Sequence, residues 1–433
     1  MMASGSNSHG SSSSSLEPFF DLSSSDTDQD GILDKAPPPA GDDRDAQYVL
    51  VTGGLGFIGS HTCLELLKAG YNILTVDNLS NSYHDVFHQI LRAAQRHHSR
   101  VQTRCPRAIL SIIDCSNLAE MRNLFNAYMS RSVTAEKGRS MIIGVIHFAA
   151  FKQVEESIRK PLKYYENNIG GLVNLLSLLD EYNIRTFIFS SSANVYGSQA
   201  AAGELLREEE CCHEPELACS SAAGRPLHSP KSNLAEITNA YGRTKLFGEA
   251  ILADLARGDP SWSMIALRYF NPIGGDASGL LGEDPKTPSS TLAAAMSRVI
   301  SGQRQKLNIY GNDWNTLDGT PIRDFIHVTD LARGHVAALA AADGGRVKGN
   351  FRTFNLGTGS GHSVFELIHT LETVSRRSIP CRVVGRRPGD VMSSVANTER
   401  AAGELGWQTE KSLADACADL WKYQARKYSL GHS

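Results

Sequence analysis

Thr52-Gly53-Gly54-Leu55-Gly56-Phe57-Ile58-Gly59 is a glycine-rich segment that follows an apolar run, Tyr48–Val51. A helical pattern begins just after it, and a second apolar run ends at Asp77. Glycines in this order permit a tight turn and let backbone N–H groups approach a pyrophosphate at a helix N-terminus. The pattern predicts a dinucleotide-binding βαβ unit in which Asp77 accepts a hydrogen bond from a ribose 2′-hydroxyl. A purely structural glycine turn is the alternative.

Strand-like and helix-like patterns alternate from Tyr48 to Ile273. The predicted strands cover residues 48–52, 72–76, 109–113, 141–147, 186–191 and 263–269. This alternation predicts an α/β fold with a doubly wound parallel sheet, a Rossmann domain over residues 47–272. A smaller mixed α/β substrate domain is predicted over 273–433, with 322–357 returning to the Rossmann sheet and an amphipathic helix over 412–427.

Composition limits the classes of partner. The net charge of −3 gives no electrostatic reason to expect nucleic acid or an anionic membrane. No apolar run reaches the roughly 18 residues of a membrane span. The eight cysteines are scattered, which suits reduced thiols in a cytoplasmic enzyme. Residues 1–46 are rich in Ser, Asp, Pro and Gly and are predicted to form a disordered tail.

Three polar segments, 92–106, 130–139 and 198–239, are interpreted as insertions at the surface. The third contains Cys211-Cys212-His213 and Cys219, but it lacks the paired spacing of a zinc site. In the tail, Asp26–Gly31 resembles half of a calcium loop, yet the twelfth position is Pro37 rather than Glu. No metal is therefore expected.

A proton-transfer pair is predicted at Tyr241 and Lys245, because residues four apart share one face of a helix. The Lys245 ammonium is expected to lower the pKa of Tyr241 from its reference of about 10. Such a tyrosine can take a hydroxyl proton as hydride leaves the same carbon. Ser190-Ser191-Ser192 end an apolar strand at the edge where open α/β sheets bind ligands, and a serine hydroxyl there can bridge a substrate oxygen and Tyr241; a plain turn is the alternative. A second match to this spacing, Tyr423 with Lys427, is interpreted as a surface pair.

The order of these features resembles the extended short-chain dehydrogenase/reductase superfamily, and within it the UDP-glucose 4-epimerase (UDP-galactose 4-epimerase) family. The similar phrases are VTGGLGFIGSHT (51–62), VDNLSNS (76–82), HFAAFKQVEES (147–157), PLKYYENN (161–168), FSSSANVYG (189–197), YGRTK (241–245), LRYFNPIGG (267–275), GEDP (282–285), IYGND (309–313), DGTPIRDFIHVTDLARGH (318–335) and RRPGD (386–390). They cover nearly everything from Tyr48 onward.

The resemblance implies NAD as cofactor, a UDP-hexose as substrate and a homodimer. The implied cofactor-binding residues are Gly53, Gly56, Phe57, Ile58, Gly59, Asp77, Asn78, Asn81, Ser82, Asp114, Cys115, Phe148, Ala149, Lys152, Asn167, Tyr241, Lys245 and Tyr269. The implied catalytic residues are Ser192, Tyr241 and Lys245. The implied substrate-binding residues are Lys152, Ser192, Tyr241, Phe270, Asn271, Thr291, Tyr310, Arg323, Arg386, Asp390 and Ser394. Ser394, where a tyrosine would exclude a 2-acetamido group, implies that N-acetylhexosamines are accepted as well.

Some residues depart from the family pattern. Asn194 stands where Thr is frequent, Ala150 where Gly is frequent, and Ser290-Thr291 replaces an Asn pair near the diphosphate and sugar. A 4,6-dehydratase is disfavoured, because Ala193-Asn194 cannot supply its additional acid and base. A UDP-glucuronate or UDP-pentose 4-epimerase remains an alternative, as does a non-catalytic dinucleotide sensor, although a sensor would not need the Tyr/Lys pair.

Overall fold

A computed structural model describes residues 46–130, 139–211, 213, 237–287, 291–387 and 389–430. The predictions for residues 1–45, including the calcium-like segment, and those for 131–138, Cys212, 214–236 and Ser290 lie outside the described residues. No helix within the described ranges is long and apolar enough to cross a membrane.

The described residues form fourteen strands and eleven α-helices. The strands are β1 (Tyr48–Thr52), β2 (Asn72–Asp77), β3 (Ala108–Ile112), β4 (Ile142–His147), β5 (Thr186–Ser192), β6 (Ser263–Tyr269), β7 (Asn271–Ile273), β8 (Leu307–Tyr310), β9 (Ile322–Arg323), β10 (Phe325–His327), β11 (Phe351–Leu356), β12 (His362–Ser363), β13 (Cys381–Val384) and β14 (Ser393–Ser394). The helices are α1 (Phe57–Lys68), α2 (Asp85–Val101), α3 (Leu118–Ala127), α4 (Val154–Arg159), α5 (Pro161–Tyr165), α6 (Gly171–Glu181), α7 (Ala240–Gly258), α8 (Leu292–Ile300), α9 (Val328–Asp343), α10 (Val364–Ser375) and α11 (Leu413–Leu430).

Seven parallel strands make the main sheet, in the order β11-β6-β5-β4-β1-β2-β3. The predicted doubly wound α/β fold is confirmed. Strand β1 is buried on both faces, as expected for a parallel sheet covered by helices. Its alternate residues point into two cores, one containing Val49 and Val51 and the other Tyr48 and Leu50. The first core also contains residues of α1, α2 and α9, and the second contains residues of α3, α6 and α7.

Two glycines of the first turn are required by close backbone contacts. Gly53 has φ +67°, and a Cβ atom there would lie 2.7 Å from the Ala149 backbone nitrogen. A Cβ atom on Gly59 would collide with the Gly53 carbonyl oxygen. The glycines therefore bring the N-terminus of α1 against the ends of β1 and β4 and leave its first N–H groups facing the space above the sheet.

The prediction that 92–106 is a surface insertion was wrong for most of that segment. Helix α2 continues to Val101, and Ala93, Ala94 and His98 are buried. His98 Nε2 lies 3.0 Å from the Leu67 carbonyl oxygen, so the helix is anchored to α1. The basic residues of this segment are the solvated side of an amphipathic helix.

The first part of the 198–239 segment is also not a surface addition. Leu206 donates its N–H to Val395 O at 2.8 Å, and its carbonyl oxygen accepts from the Asn355 side chain at 2.8 Å. The buried Glu208 carboxylate accepts the Asn355 backbone N–H at 2.8 Å. Asn355 lies in β11, the edge strand of the sheet, so residues 206–208 cover that edge and protect it from pairing with other chains.

The region after β6 contributes one strand to the main sheet and also forms the three smaller sheets outside it. Strands β7 and β10 pair with each other, β8 pairs with β13, and β9 pairs with β12 and β14. Helices α8, α10 and α11 form a separate core with β7, β8 and β10. After α9, the chain enters the main sheet as β11 beside β6. Asn271, two residues after β6, donates its N–H to the carbonyl oxygen of Asp324, directly after β9, at 2.9 Å.

Candidate active site

A cavity of about 630 Å³ lies at the carboxyl ends of the main-sheet strands. Every residue that the sequence assigned to the cofactor lines it, including Gly53, Asp77 and Tyr269. Of the residues assigned to substrate alone, only Thr291 lines this cavity. Those outside its lining are Ser192, Phe270, Asn271, Tyr310, Arg323, Arg386, Asp390 and Ser394.

Asp77 organises the end of the cavity nearest β2 and β3. One carboxylate oxygen accepts from Leu79 N at 2.9 Å and from Ser82 Oγ at 2.8 Å, and the other accepts from Leu55 N at 3.0 Å. Asn78 donates to Asp114 at 2.8 Å across the same end. Asp77 therefore fixes the glycine-rich turn as well as the loop after β2. Its negative charge suits a free ribose hydroxyl and repels a 2′-phosphate.

Lys245 and Tyr241 lie on the first turns of α7, which Asn239 caps by accepting Gly242 N at 2.8 Å. The Lys245 ammonium donates to Ser190 O at 2.5 Å and lies 4.8 Å from the centre of the Phe189 ring. It lies 5.9 Å from the centre of the Tyr241 ring. Burial lowers the pKa of Lys245 to about 7, and the negative charge of Glu249 opposes that shift.

The predicted decrease in the pKa of Tyr241 was wrong. Burial of the phenol raises its pKa, and a hydrogen bond from Ser192 only partly opposes this. Ser192 Oγ accepts from the backbone and side-chain nitrogens of Asn194, at 3.2 and 3.0 Å. Asn194, one of the departures from the family pattern, therefore leaves the Ser192 proton available to Tyr241. The protein groups align the proton path, but they do not by themselves favour the phenolate.

The base of the cavity is uncharged. His147 on β4 contacts Thr52 Oγ1 at 2.7 Å, and burial, assisted by the Lys245 charge, lowers its pKa to about 3. Tyr269 on β6 hydrogen-bonds to the Nε2 atom of His335 on α9, and burial lowers the pKa of that histidine to about 4. Both histidines are therefore neutral near pH 7, and Lys245, with its pKa of about 7, is the group here that can carry a positive charge.

Glu283 is a site residue that sequence reasoning did not select, although its GEDP phrase was noted. It is buried, accepts from Thr291 Oγ1 at 3.0 Å, and lies 3.8 Å from the Lys152 ammonium. Thr291 also caps α8 by accepting Ala294 N at 3.3 Å. The Thr291 hydroxyl is thus held by Glu283 and the helix, which differs from the free amide that an asparagine would offer.

A second missed residue is Arg387. Its guanidinium lies 4.4 Å from the centre of the Tyr310 ring and 3.1 Å from Asp390. Burial lowers the pKa of the neighbouring Arg323 to about 10; the charge of Asp390 opposes this decrease, and that of Arg387 adds to it. Arg386, the residue selected from the sequence, instead stacks on Trp314 at 3.9 Å and pairs with Asp313 at 2.8 Å. The structure therefore brings Arg387, rather than Arg386, together with Tyr310, Arg323 and Asp390.

Ser394 lies in the short strand β14, directly opposite Arg323 of β9. Its carbonyl oxygen accepts Asp324 N at 3.0 Å, and Asp324 O in turn accepts Asn271 N at 2.9 Å. The Met392 methyl group lies against Gly203, where a Cβ atom would be 3.3 Å from it. Met392 is thus in contact with the segment before Leu206.

The comparisons with known proteins agree with this geometry. Residues 49–357 match the family model described as "NAD dependent epimerase/dehydratase family". The chain belongs to this family. Among curated proteins it is 40% identical to the UDP-glucose 4-epimerase of Dictyostelium discoideum, over 89% of this chain and 96% of that protein. It is 38% identical to the UDP-glucose 4-epimerase of Homo sapiens, over 89% and 98%. With the "Bifunctional protein GAL10" of Pachysolen tannophilus it shares 41% identity over 88% of this chain, but it spans only 49% of that relative.

Solved structures of the family superpose on the described fold. The UDP-glucose 4-epimerase from Stenotrophomonas maltophila, with bound NAD and formylated UDP-arabinopyranose, has a TM-score of 0.73 and 35% identity, covering 89% of this chain and 99% of its own. The enzyme from Bifidobacterium longum, in complex with NAD⁺ and UDP, has a TM-score of 0.72 and 36% identity, covering 88% and 99%.

The described residues also contain one group of side chains that could bind a metal ion. Atoms of Cys211, His213 and Glu249 lie within 4.8 Å of one another. The Glu249 carboxylate, however, is bound by the buried Arg268 guanidinium at 2.7 and 3.0 Å. A metal cation there would face that guanidinium in a site of low dielectric, which disfavours binding. We therefore interpret the group as part of a hydrogen-bonded network.

Proposed function

We propose that this chain interconverts UDP-glucose and UDP-galactose by inverting the configuration at C4, with NAD retained as a resident cofactor. The observation that carries the proposal is that Tyr241 and Lys245 line a cavity with dinucleotide-binding features, while Ser192, outside its lining, hydrogen-bonds to Tyr241. Arg323 and Arg387 are neighbours outside the cavity lining, and we expect them to meet the diphosphate that follows the sugar. The curated relatives named UDP-glucose 4-epimerase support the choice of substrate.

The residues of the cavity fit NAD. The N-terminus of α1 would face the pyrophosphate, Asp77 the adenosine ribose, and Phe148 with Tyr269 the nicotinamide half. When bound, the oxidised nicotinamide accepts hydride from C4 of the sugar and later returns it, while its positive charge favours the Tyr241 phenolate. Burial alone raises the pKa of Tyr241, so this contribution is needed for proton removal at neutral pH.

The side chains then move one proton in each direction. Tyr241 Oη takes the proton from the 4-hydroxyl group, directly or through Ser192, as hydride leaves C4. The product of this half-reaction is a 4-keto sugar, which must turn within the pocket to present its other face. Tyr241 then returns the proton to the same oxygen. The hydrogen bond from Lys245 to Ser190 O fixes helix α7, which carries Tyr241, against the end of β5.

Arg323 and Arg387 are proposed to bind the diphosphate, and Asp390 to accept a hydroxyl of the uridine ribose. A guanidinium offers planar, bidentate hydrogen bonds to phosphate oxygens. The stacking of Arg387 on Tyr310 fixes its plane before substrate binds. Lys152 and Glu283 are proposed to contact sugar hydroxyls from the opposite side.

Incubation of the purified protein with UDP-galactose, without added reductant, tests this function. The expected product is UDP-glucose, and mass spectrometry of the cofactor released on denaturation should identify NAD. Finding NADP would contradict the role of Asp77. Turnover of UDP-glucuronate or a UDP-pentose without turnover of the hexoses would favour the alternative substrates.

We propose in addition that UDP-N-acetylglucosamine and UDP-N-acetylgalactosamine are substrates, because Ser394 occupies little volume near Arg323. The nearby Met392 could refill the space, but its methyl group contacts Gly203. Replacing Ser394 with tyrosine should preserve hexose turnover and abolish N-acetylhexosamine turnover. Absence of N-acetylhexosamine turnover by the unmodified protein would contradict this proposal.

A homodimer in the cytoplasm is the proposed state of the protein. The described cysteines are free thiols, as expected in a reducing compartment. An apolar stripe follows α5 and α6, with Leu162 80% and Val173 43% exposed, and Ile169 on the same face between them. A second copy would cover this stripe. Sedimentation should give a dimer for the unmodified chain and a monomer for Leu162→Glu, and a monomeric unmodified chain would contradict the proposal.

A further inference from the structure

A buried ionic network lies directly behind the proposed catalytic residues. Glu249 is one helical turn beyond Lys245 on α7, and it is completely buried together with Arg268 of β6. Arg268 donates to both Glu249 oxygens, through Nε at 3.0 Å and Nη2 at 2.7 Å. Neither residue lines the cavity. Two ions buried this deeply are costly to desolvate, and a well-packed apolar pair could fill the same space. The ion pair is therefore expected to have a role in addition to packing.

Glu249 is connected to the serine strand end from behind. Ser191 donates a short hydrogen bond to the carboxylate. Because side chains alternate along a strand, Ser191 points away from the face used by Ser190 and Ser192. The same carboxylate thus fixes the residue between Ser192, which bonds to Tyr241, and Ser190, whose carbonyl oxygen holds Lys245.

Glu249 also supplies charge. Lys245 is buried, with 3% of the residue exposed, and the hydrogen bond of its ammonium to Ser190 O provides no negative charge. The other titratable groups facing it are His147 from β4, which is neutral, and the phenols of Tyr241 and Tyr269. Glu249 is the carboxylate whose charge acts on Lys245, and it favours the protonated amine.

Glu208, Cys211 and His213 complete the network. Arg268 donates to Cys211 O at 2.6 Å and to Glu208 O at 3.4 Å, and His213 Nε2 lies 2.8 Å from the second Glu249 oxygen. The Tyr196 hydroxyl accepts from Arg268 Nη1 at 3.1 Å, and this is the nitrogen that also donates to Glu208 O. These contacts hold the guanidinium, and therefore the carboxylate, in one position.

We propose that Glu249 is a positioning residue for the 4-epimerase reaction: its carboxylate provides the countercharge for the Lys245 ammonium and fixes the Ser190–Ser192 strand end. The expected effect of Glu249 on turnover rests on the proposed function. The effect of Glu249 on the charge of Lys245 is independent of any substrate, so the positioning role and the proposed function can be tested separately.

The decisive variant is Glu249→Gln, which keeps the shape and removes the charge. Both proteins are labelled with ¹³C-lysine as holoenzymes, and the ¹³Cε resonance of Lys245 is assigned by its loss in Lys245→Met. In Glu249→Gln this resonance should titrate about one pH unit lower than in the unmodified protein. Above both midpoints, a shift of one unit leaves about tenfold less charged lysine. We therefore expect kcat for UDP-galactose to fall about tenfold, with KM and NAD content little changed, since Glu249 does not line the cavity.

Two further variants separate this role from a structural one. Glu249→Gln/Arg268→Gln removes both buried charges, so that no unpaired ion remains if the single variant folds poorly. It should shift the Lys245 titration in the same direction, by no more than the single variant does, because the opposing charge of Arg268 is removed as well. Asp254→Asn is the matched control, because it removes a carboxylate from the exposed side of the same helix, where its side chain is 74% exposed. This control should change neither the titration nor kcat.

An unchanged Lys245 midpoint in a soluble Glu249 variant would overturn the proposal, even if the variant were less stable. Failure of both Glu249 variants to give soluble protein would also overturn it, since the network would then be a requirement of folding. A shifted midpoint in a protein inactive on every UDP-sugar would support the positioning role while refuting the proposed function.

Discussion

Replacing Tyr241 with phenylalanine should lower the turnover of UDP-galactose by roughly 100-fold or more, the scale expected for a lost general acid/base. A hundredfold loss corresponds to about 2.7 kcal/mol in the activation free energy. The expected loss of stability is smaller, about 1 kcal/mol, because only one net hydrogen bond is removed. Ser192 keeps its two contacts with Asn194, and Lys245 keeps its bond to Ser190 O. Catalysis and folding should therefore separate clearly in this variant.

The assay is the initial rate of UDP-glucose formation, with NAD content measured by mass spectrometry on the same preparation. Tyr423→Phe is the control, chosen because it has the same spacing to a lysine. Tyr423 lines the cavity beside Gly282, so our interpretation of it as a surface residue was wrong. It contacts no proposed catalytic group, and its loss should change turnover by no more than about threefold. A loss below about tenfold for Tyr241→Phe, or equal losses for both variants, would refute the assignment.

Three other outcomes are expected. Arg387→Ala should raise KM for UDP-sugars by at least tenfold, on the scale of a lost charged hydrogen bond, whereas Arg386→Ala should have a much smaller effect; the reverse order would contradict the assignment. Deletion of residues 204–213 should prevent accumulation of soluble protein, because Arg268 loses two buried acceptors worth about 1.5–3 kcal/mol each; deletion of 214–236 alone should leave activity. In urea titrations, the free energy of unfolding should decrease as pH falls from about 6.5 towards 4, because histidines in the unfolded chain then bind protons that the buried neutral histidines do not. The decrease should reach up to about 1.4 kcal/mol per pH unit for each such histidine. These histidines, with pKa values lowered by burial to about 4, 3 and 4, are His61, His147 and His335. A flat response over that range would contradict the assigned burial.

The strands and the cofactor cavity could be predicted from the sequence because their signals are local. Each strand of the Rossmann half is a short apolar run bounded by turn residues, and parallel strands buried on both faces need no alternation. The turn at Gly53 and the acid at Asp77 lie about 20 residues apart, within one βαβ unit. The helix α2 also has a local signal, because Phe87, Ile90 and Ala94 repeat at helical spacing. The basic residues that follow them obscured this pattern.

The parts that could not be predicted depend on pairing between distant residues. Nothing in a run of two arginines indicates that Arg386 faces Trp314 while Arg387 faces Tyr310, because the difference arises from the path of the chain after β13. Glu249 and Arg268 look like solvated residues of a helix and a strand, and only the fold buries them together. The pKa of Tyr241 depends on burial, which a spacing of four residues cannot report.

The position of β11 has a consequence for synthesis of the chain on the ribosome. Strand β6 ends at Tyr269, but its outer partner does not begin until Phe351, about 80 residues later. At elongation rates of about 5–20 residues per second, the outer edge of β6 waits several seconds for that partner. During this interval all the proposed catalytic residues have been synthesised, while an unpaired strand edge can still pair with other nascent chains. A chaperone that covers exposed strand edges would therefore be useful after the catalytic helix has been made and before β11 has been made.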